Sequence, residues 1–391
     1  MKCRRGPSVW VSGLLLALLT FTFEAKATIR LVDIAGRTVV LEKPAEKVVL
    51  GEGRFMSVLG VLGIKQPTRR VVGMMNDLRL YDPASFERYR QSLPDIDDIP
   101  SFGNTNEQSV SVEKIILLNP DVAIFGLSGH GPGKRSRHII ERLEAAGIPI
   151  VFIDFRSDPI KNTARSVEIV GEVLGVPEKG KAFSEFYRQE LNKVSRVVND
   201  IDPSEYPSVL FELRVSNRQA CCLTVSRGMF AEMASVAGGR SIATDLLPGQ
   251  VGELSLEHAI RSEFDIYVGT AIGSLAESEP GGSVSGKNDK DRHYQNMVLG
   301  PGVNQLQARA SLQALLSRKG VEDFSAIEKG RAYAIWHHFY NSPMNIYAVQ
   351  RLAKWFHPER FASLNPEEML STMLEGFYPV DLAGSYSVAI D

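Results

Sequence analysis

Seven side chains follow directly on short apolar runs and have the chemistry to hold an anionic or metal-bearing ligand. They are Arg54, His130, Arg156, Arg214, His337, His338 and Tyr340. A guanidinium carries a permanent charge and a planar fork of donors that matches paired oxygens. Imidazole and phenol groups can complete a metal shell or grip a haem. Arg54 and Arg214 close corresponding first strands in the two halves of the chain, which favours those two. His337 and His338 stand out because the chain holds only seven His. If the strand before them continued, the two rings would face opposite ways and one alone would reach a ligand.

Two neighbouring phrases look reactive and fail on spacing. GLSGHG (126–131) has His130 where a nucleophile elbow needs Gly. GHGPGKR (129–135) lacks the first Gly of a phosphate loop and has Arg135 where Ser or Thr should follow Lys134. The residues therefore point to binding rather than bond-making chemistry.

The elements that must position these groups alternate. Lys47–Gly51, Arg70–Met74, Asp121–Phe125 and Pro149–Asp154 read as buried strands, separated by helical patterns over 55–63, 111–118 and 135–147. The second half repeats the style. It has strands at 207–213, 265–272 and 329–336, and helices at 228–239, 255–263 and 342–361. Between the halves, Ala182, Phe183, Phe186, Tyr187, Leu191, Val194, Val197 and Val198 keep helical spacing, which predicts one long helix over about 178–200. At about 1.5 Å per residue it spans over 30 Å. The expected fold class is α/β: two α/β lobes with mostly parallel sheets, joined by one long helix. The expected boundaries are an N-terminal lobe over 28–158, a helical segment over 159–202 and a C-terminal lobe over 203–391. Ligands of open α/β sheets sit beyond the carboxyl ends of the strands, where the seven residues lie.

One phrase is written twice. SVEKIILLNPDVAIF (111–125) and SLEHAIRSEFDIYVG (255–269) each run Ser, aliphatic, Glu, two residues, then Ile, and each ends in Asp and an apolar run. Each places a Glu in the first turn of a capped helix, Glu113 and Glu257, where the helix dipole favours it.

Residues 1–27 combine Lys2, Arg4 and Arg5, an apolar run of about 15 residues and Ala25-Lys26-Ala27. This is the layout of a secretory signal peptide cleaved near Ala27, and the run is short for the roughly 20 residues of a membrane span. The chain has 44 basic and 46 acidic side chains. The expected leader takes four basic residues and one acidic one, leaving a product of net charge −5 with no signature of nucleic-acid binding. Cys221 and Cys222 are adjacent, and the expectation is two small, partly buried side chains rather than a disulfide or a zinc site. The Gly-rich stretch 274–302 is either a surface insertion or a cleft flap carrying His293 and Tyr294.

The order of DIAGRTVVLEKPAEKVVLG, SVEKIILLNPDVAIF, LEAAGIPIVFID, MFAEMASVAGGRSIATD, SLEHAIRSEFDIYV and AIEKGRAYAI resembles the periplasmic substrate-binding proteins of ABC importers for iron–siderophore, haem and cobalamin complexes. The resemblance runs from about Asp33 to Trp336. It implies a periplasmic monomer that captures a chelated metal, a ferric siderophore foremost with haem or cobalamin as alternatives, between two lobes. It implies no catalysis and no resident cofactor. It also implies that Glu113 and Glu257 dock on Arg residues of an inner-membrane permease. His337 or His338 could touch the metal directly. The rival readings are a free-metal binder of the zinc or manganese type sharing the fold, and a secreted hydrolase.

Overall fold

The computed structural model describes residues 28–215, 221–272 and 297–390. His293, Tyr294 and the expected leader lie outside the described residues.

Two open sheets form the frame. The first has four parallel strands in the order Val71–Met74, Val48–Leu50, Val122–Gly126, Ile150–Ile153. Val48–Leu50, Val122–Gly126 and the edge strand Ile150–Ile153 are buried along their whole length, as parallel strands covered on both faces must be. The second sheet runs Ser387–Ala389, Ala332–Trp336, Ile266–Ala271, Ser208–Glu212, Arg240–Ser241, and only Ser387–Ala389 is antiparallel. This is the mixed, mostly parallel two-lobe architecture that the alternating pattern predicts. The strand ends after Leu50, Gly126 and Ile153 belong to one lobe, and those after Glu212, Ala271 and Trp336 to the other.

The helix Pro177–Val198 starts on a proline at its first position, where no intrahelical N–H is lost. It buries Gly180, Phe183, Ser184, Tyr187, Glu190, Val194 and Val198, a single face at helical spacing. It crosses the helix Pro159–Val173 where two glycines meet: the Cα of Gly180 would lie 3.2 Å from a Cβ added at Gly171. A Cβ at Gly180 would in turn sit 3.0 Å from Glu168 Cα and 3.2 Å from the Val167 carbonyl oxygen. Ala suits a helix better than Gly by about 1 kcal/mol. Here the neighbours are backbone and cannot swing aside, so overpacking wins. Gly180→Ala is expected to destabilise the protein by about 1–3 kcal/mol, read from the urea midpoint; an unchanged midpoint would show that the helices part freely.

Buried polar bonds fix the register of this helical layer. Tyr187 Oη donates to Asn345 Oδ1 at 2.8 Å, and Asn345 Nδ2 donates to Thr163 Oγ1 at 2.7 Å. Gln350 Nε2 donates to Glu190 Oε2 at 2.9 Å. Asn345 and Gln350 belong to the helix Asn345–Phe356, which starts three residues later than Ser342 because 337–341 form a 3-10 turn. Near its end the chain crosses to the other lobe. Phe377 packs on Phe183 at 5.4 Å between centroids, and Tyr378 Oη donates to the Ser57 carbonyl at 3.1 Å.

The cysteine expectation is corrected. Cys221 and Cys222 are joined to each other as a disulfide, beside the ladder that pairs Leu223–Val225 with Val251–Glu253. Adjacency weighs against such a bond in general, but here the backbone of Cys222 is held on both sides by Leu254 and the two sulfurs are brought together.

Candidate functional site

The loop after Val48–Leu50 carries Gly51-Glu52-Gly53-Arg54 into the space between the sheets. Gly53 is required there: a Cβ would stand 2.5 Å from the Met75 carbonyl oxygen. Arg54 is 5% exposed and nearly all its donors are taken. Nε donates to Asp77 Oδ2 at 2.8 Å and Nη2 to Glu52 Oε2 at 2.7 Å. Nη1 donates to Tyr340 Oη at 2.7 Å and lies 3.3 Å from His338 Nδ1. Burial alone would lower the Arg54 pKa, but Tyr340, Glu52 and Asp77 outweigh it and hold the guanidinium charged. Burial raises the Asp77 carboxyl to about 6, against the opposing pull of Arg54.

From the other lobe come His337, His338, Tyr340 and Asn341. They lie on the 3-10 turn His337–Asn341 and not on a continuing strand. The expectation that one histidine faces away is therefore corrected: both rings are buried toward the cleft, 5.7 Å apart. His338 Nε2 donates to the Tyr81 carbonyl at 2.8 Å, so its Nδ1 lone pair is the one that meets Arg54. His337 Nδ1 lies 2.8 Å from Thr270 Oγ1. Burial, reinforced by neighbouring charges, pushes both imidazoles well below their usual pKa, so both are neutral.

The Tyr340 hydroxyl accepts from Arg54 and stands 3.1 Å from His130 Nε2. Two guanidiniums approach its ring, with Arg54 Cζ at 5.4 Å and Arg156 Cζ at 5.3 Å from the centroid. His130 is held by its backbone N–H on Glu52 Oε1 at 3.2 Å and packs against Tyr81. Burial and the Arg54 charge lower its pKa to about 4, leaving a neutral ring. Ser128, the would-be nucleophile, is bonded to Ser157 Oγ at 2.7 Å, a hydroxyl that cannot serve as its base.

Arg156 and Arg214 differ from Arg54. Each has a buried guanidinium nitrogen, Nη1 of Arg156 and Nε of Arg214, with no hydrogen-bond partner among the described residues. One comes from each lobe. The Arg156 carbonyl accepts from Met229 N–H of the opposite lobe at 3.0 Å, and the Arg214 N–H donates to Thr270 Oγ1 at 3.0 Å. Two desolvated donors carrying fixed charge are costly unless an anion meets them. All seven side chains picked from the sequence thus gather at the strand ends. They divide into a self-satisfied group around Arg54 and an unsatisfied pair, Arg156 and Arg214. Sequence reasoning missed Asp77, Tyr81, Thr270 and Asn341. Nothing marks them in the chain, because their roles arise only from contacts across 23 to 289 positions.

Glu113 and Glu257 sit away from the cleft on the helices Val112–Leu117 and Leu256–Arg261. Ser111 and Ser255 cap them through Lys114 N–H and His258 N–H. Glu113 is 64% exposed, and its Oε1 accepts from Arg142 at 2.6 Å. Arg142 lowers its pKa; for Glu257 the backbone N–H does so first, then Ser255. Ile116 and Ile260 are both exposed three residues on, so the two faces also share an apolar position.

The profile of a family described as periplasmic binding protein matches residues 82–335. No curated protein sequence matches significantly. A TroA-like periplasmic binding protein, FepB, from Veillonella parvula is 25% identical with a TM-score of 0.78, over 93% of this chain and 100% of that one. The molybdate-binding MolA of Haemophilus influenzae is 14% identical with a TM-score of 0.65, over 91% and 99%. A periplasmic heme-binding protein from Pseudomonas aeruginosa is 20% identical with a TM-score of 0.52, over 81% and 94%.

Proposed function

Because the chain belongs to the periplasmic binding protein family, we propose that it is the substrate-binding component of an ABC importer that captures an anionic metal chelate, foremost a ferric siderophore, between its lobes. The observation that carries this reading is the pair of unpartnered guanidinium nitrogens on Arg156 and Arg214. The oxygens of a ferric catecholate, hydroxamate or carboxylate complex would satisfy both and match their charge. Tyr340 and His130, bonded to each other at 3.1 Å, border the same cleft. A bare ion would need several His or carboxylate ligands converging, and no group of three does so among the described residues. Delivery is to an inner-membrane permease, with Glu113 and Glu257 as its contacts. On this reading the protein acts in the periplasm as a monomer, with residues 1–27 as its export signal. The lobe boundaries are drawn at 28–158 and 203–391, with the helical segment 159–202 between them.

Native mass spectrometry of residues 28–391 incubated with pooled ferric siderophores, haem, cobalamin, molybdate and bare metal ions tests the ligand. One adduct with the mass of an anionic metal–chelate complex is expected. An adduct with bare metal alone, or with none of these, overturns the chelate reading.

A further inference from the structure

Arg54 has the residue type of a ligand contact but not the surroundings of one. Its two acidic partners, Glu52 and Asp77, come from its own lobe. Its remaining donors reach Tyr340 and His338 of the opposite lobe, and Glu52 takes Asn341 Nδ2 at 2.7 Å. His338 in turn donates to Tyr81. The cluster therefore binds one lobe to the other through buried, charge-assisted bonds, with its charge compensated internally. Side chains that must also receive an anion would not spend their donors this way.

We propose that Arg54 is a positioning residue: it pins the turn His337–Asn341 to the Glu52–Asp77 pair and so sets the lobe spacing at which Arg156 and Arg214 face one ligand. The inference rests on the ligand reading for what the spacing serves, but the pin itself is testable without ligand. Arg54 binds no part of the chelate. Its removal leaves Tyr340 and His338 held to the first lobe by neutral bonds, to His130 and to the Tyr81 carbonyl, without the charged link. The remaining cross-lobe contacts, such as Met229 with Arg156, then no longer fix one distance.

The test places spin labels at exposed Ala145 and Glu328, one per lobe, in the protein without added ligand. The parent protein should give one narrow distance distribution. Arg54→Met should broaden it or lengthen it by several ångströms, and Arg54→Lys should restore it in part. Because Arg54→Met strands two buried carboxylates and could fail to fold, Tyr340→Phe with Asn341→Ala removes the Arg54–Tyr340 and Glu52–Asn341 bonds from the other side and should also broaden the distribution. Arg90→Ala, which breaks an exposed pair with Glu87 within the first lobe, is the control, expected to leave the distance unchanged. An unchanged distribution in a folded Arg54→Met protein, or in the Tyr340→Phe, Asn341→Ala protein, overturns the pin. If the ligand pool gives no chelate adduct while the distances still shift, the ligand reading fails and the pin stands.

Discussion

Uptake should stop in cells whose sole copy of the protein carries Glu113→Ala with Glu257→Ala, while the purified variant binds its ligand with unchanged affinity. Both carboxylates are exposed, on separate lobes, and remote from Arg156 and Arg214. Both are held ionised, by Arg142 for Glu113 and by the backbone N–H and Ser255 for Glu257. Their loss therefore removes charge from the outer surface without disturbing the cleft. Exposed ion pairs contribute little to folding, so the Glu113–Arg142 bond is free to exchange for a partner's arginine. Either single variant should keep part of the transport, since one lobe can still dock. Radiolabelled uptake and equilibrium binding measured side by side decide the matter: lost affinity, or full transport by the double variant, would remove these residues from the docking surface.

The second large effect belongs to the cleft. Arg156→Ala with Arg214→Ala should weaken binding of the retained chelate by on the order of a thousandfold, since each hydrogen bond to a charged group is worth about 1.5–3 kcal/mol. The fold should gain slightly or hold steady, because two buried donors without partners among the described residues disappear. Lys at either position keeps the charge and loses the fork, so an intermediate affinity is expected. Calorimetric titration gives the number. Full affinity in the double variant would place the anion elsewhere in the cleft.

Period and punctuation made most of the fold readable. The β-branched run Val48–Leu50 is a fully buried parallel strand because nothing polar interrupts it. The bridging helix declared itself through the helical spacing of Phe183, Tyr187, Val194 and Val198, which share its buried face. The caps Ser111 and Ser255 sit where their Ser–x–Glu phrases put them. The site was readable as a set of residues at strand ends, for the geometric reason that parallel strands deliver all their carboxyl ends to one edge.

The sequence by itself determined the elements and their order, because hydrophobic period and caps act over a few residues. Only the tertiary structure decided which partners each candidate residue has. Arg54 and Arg214 look alike in the chain, yet Glu52 and Asp77 neutralise one while the other keeps an unpartnered nitrogen. His337 and His338 face the same cleft because the strand gives way to a 3-10 turn after Trp336. Charge compensation and burial depend on groups that are distant in sequence and adjacent in space, and local pattern carries no record of them.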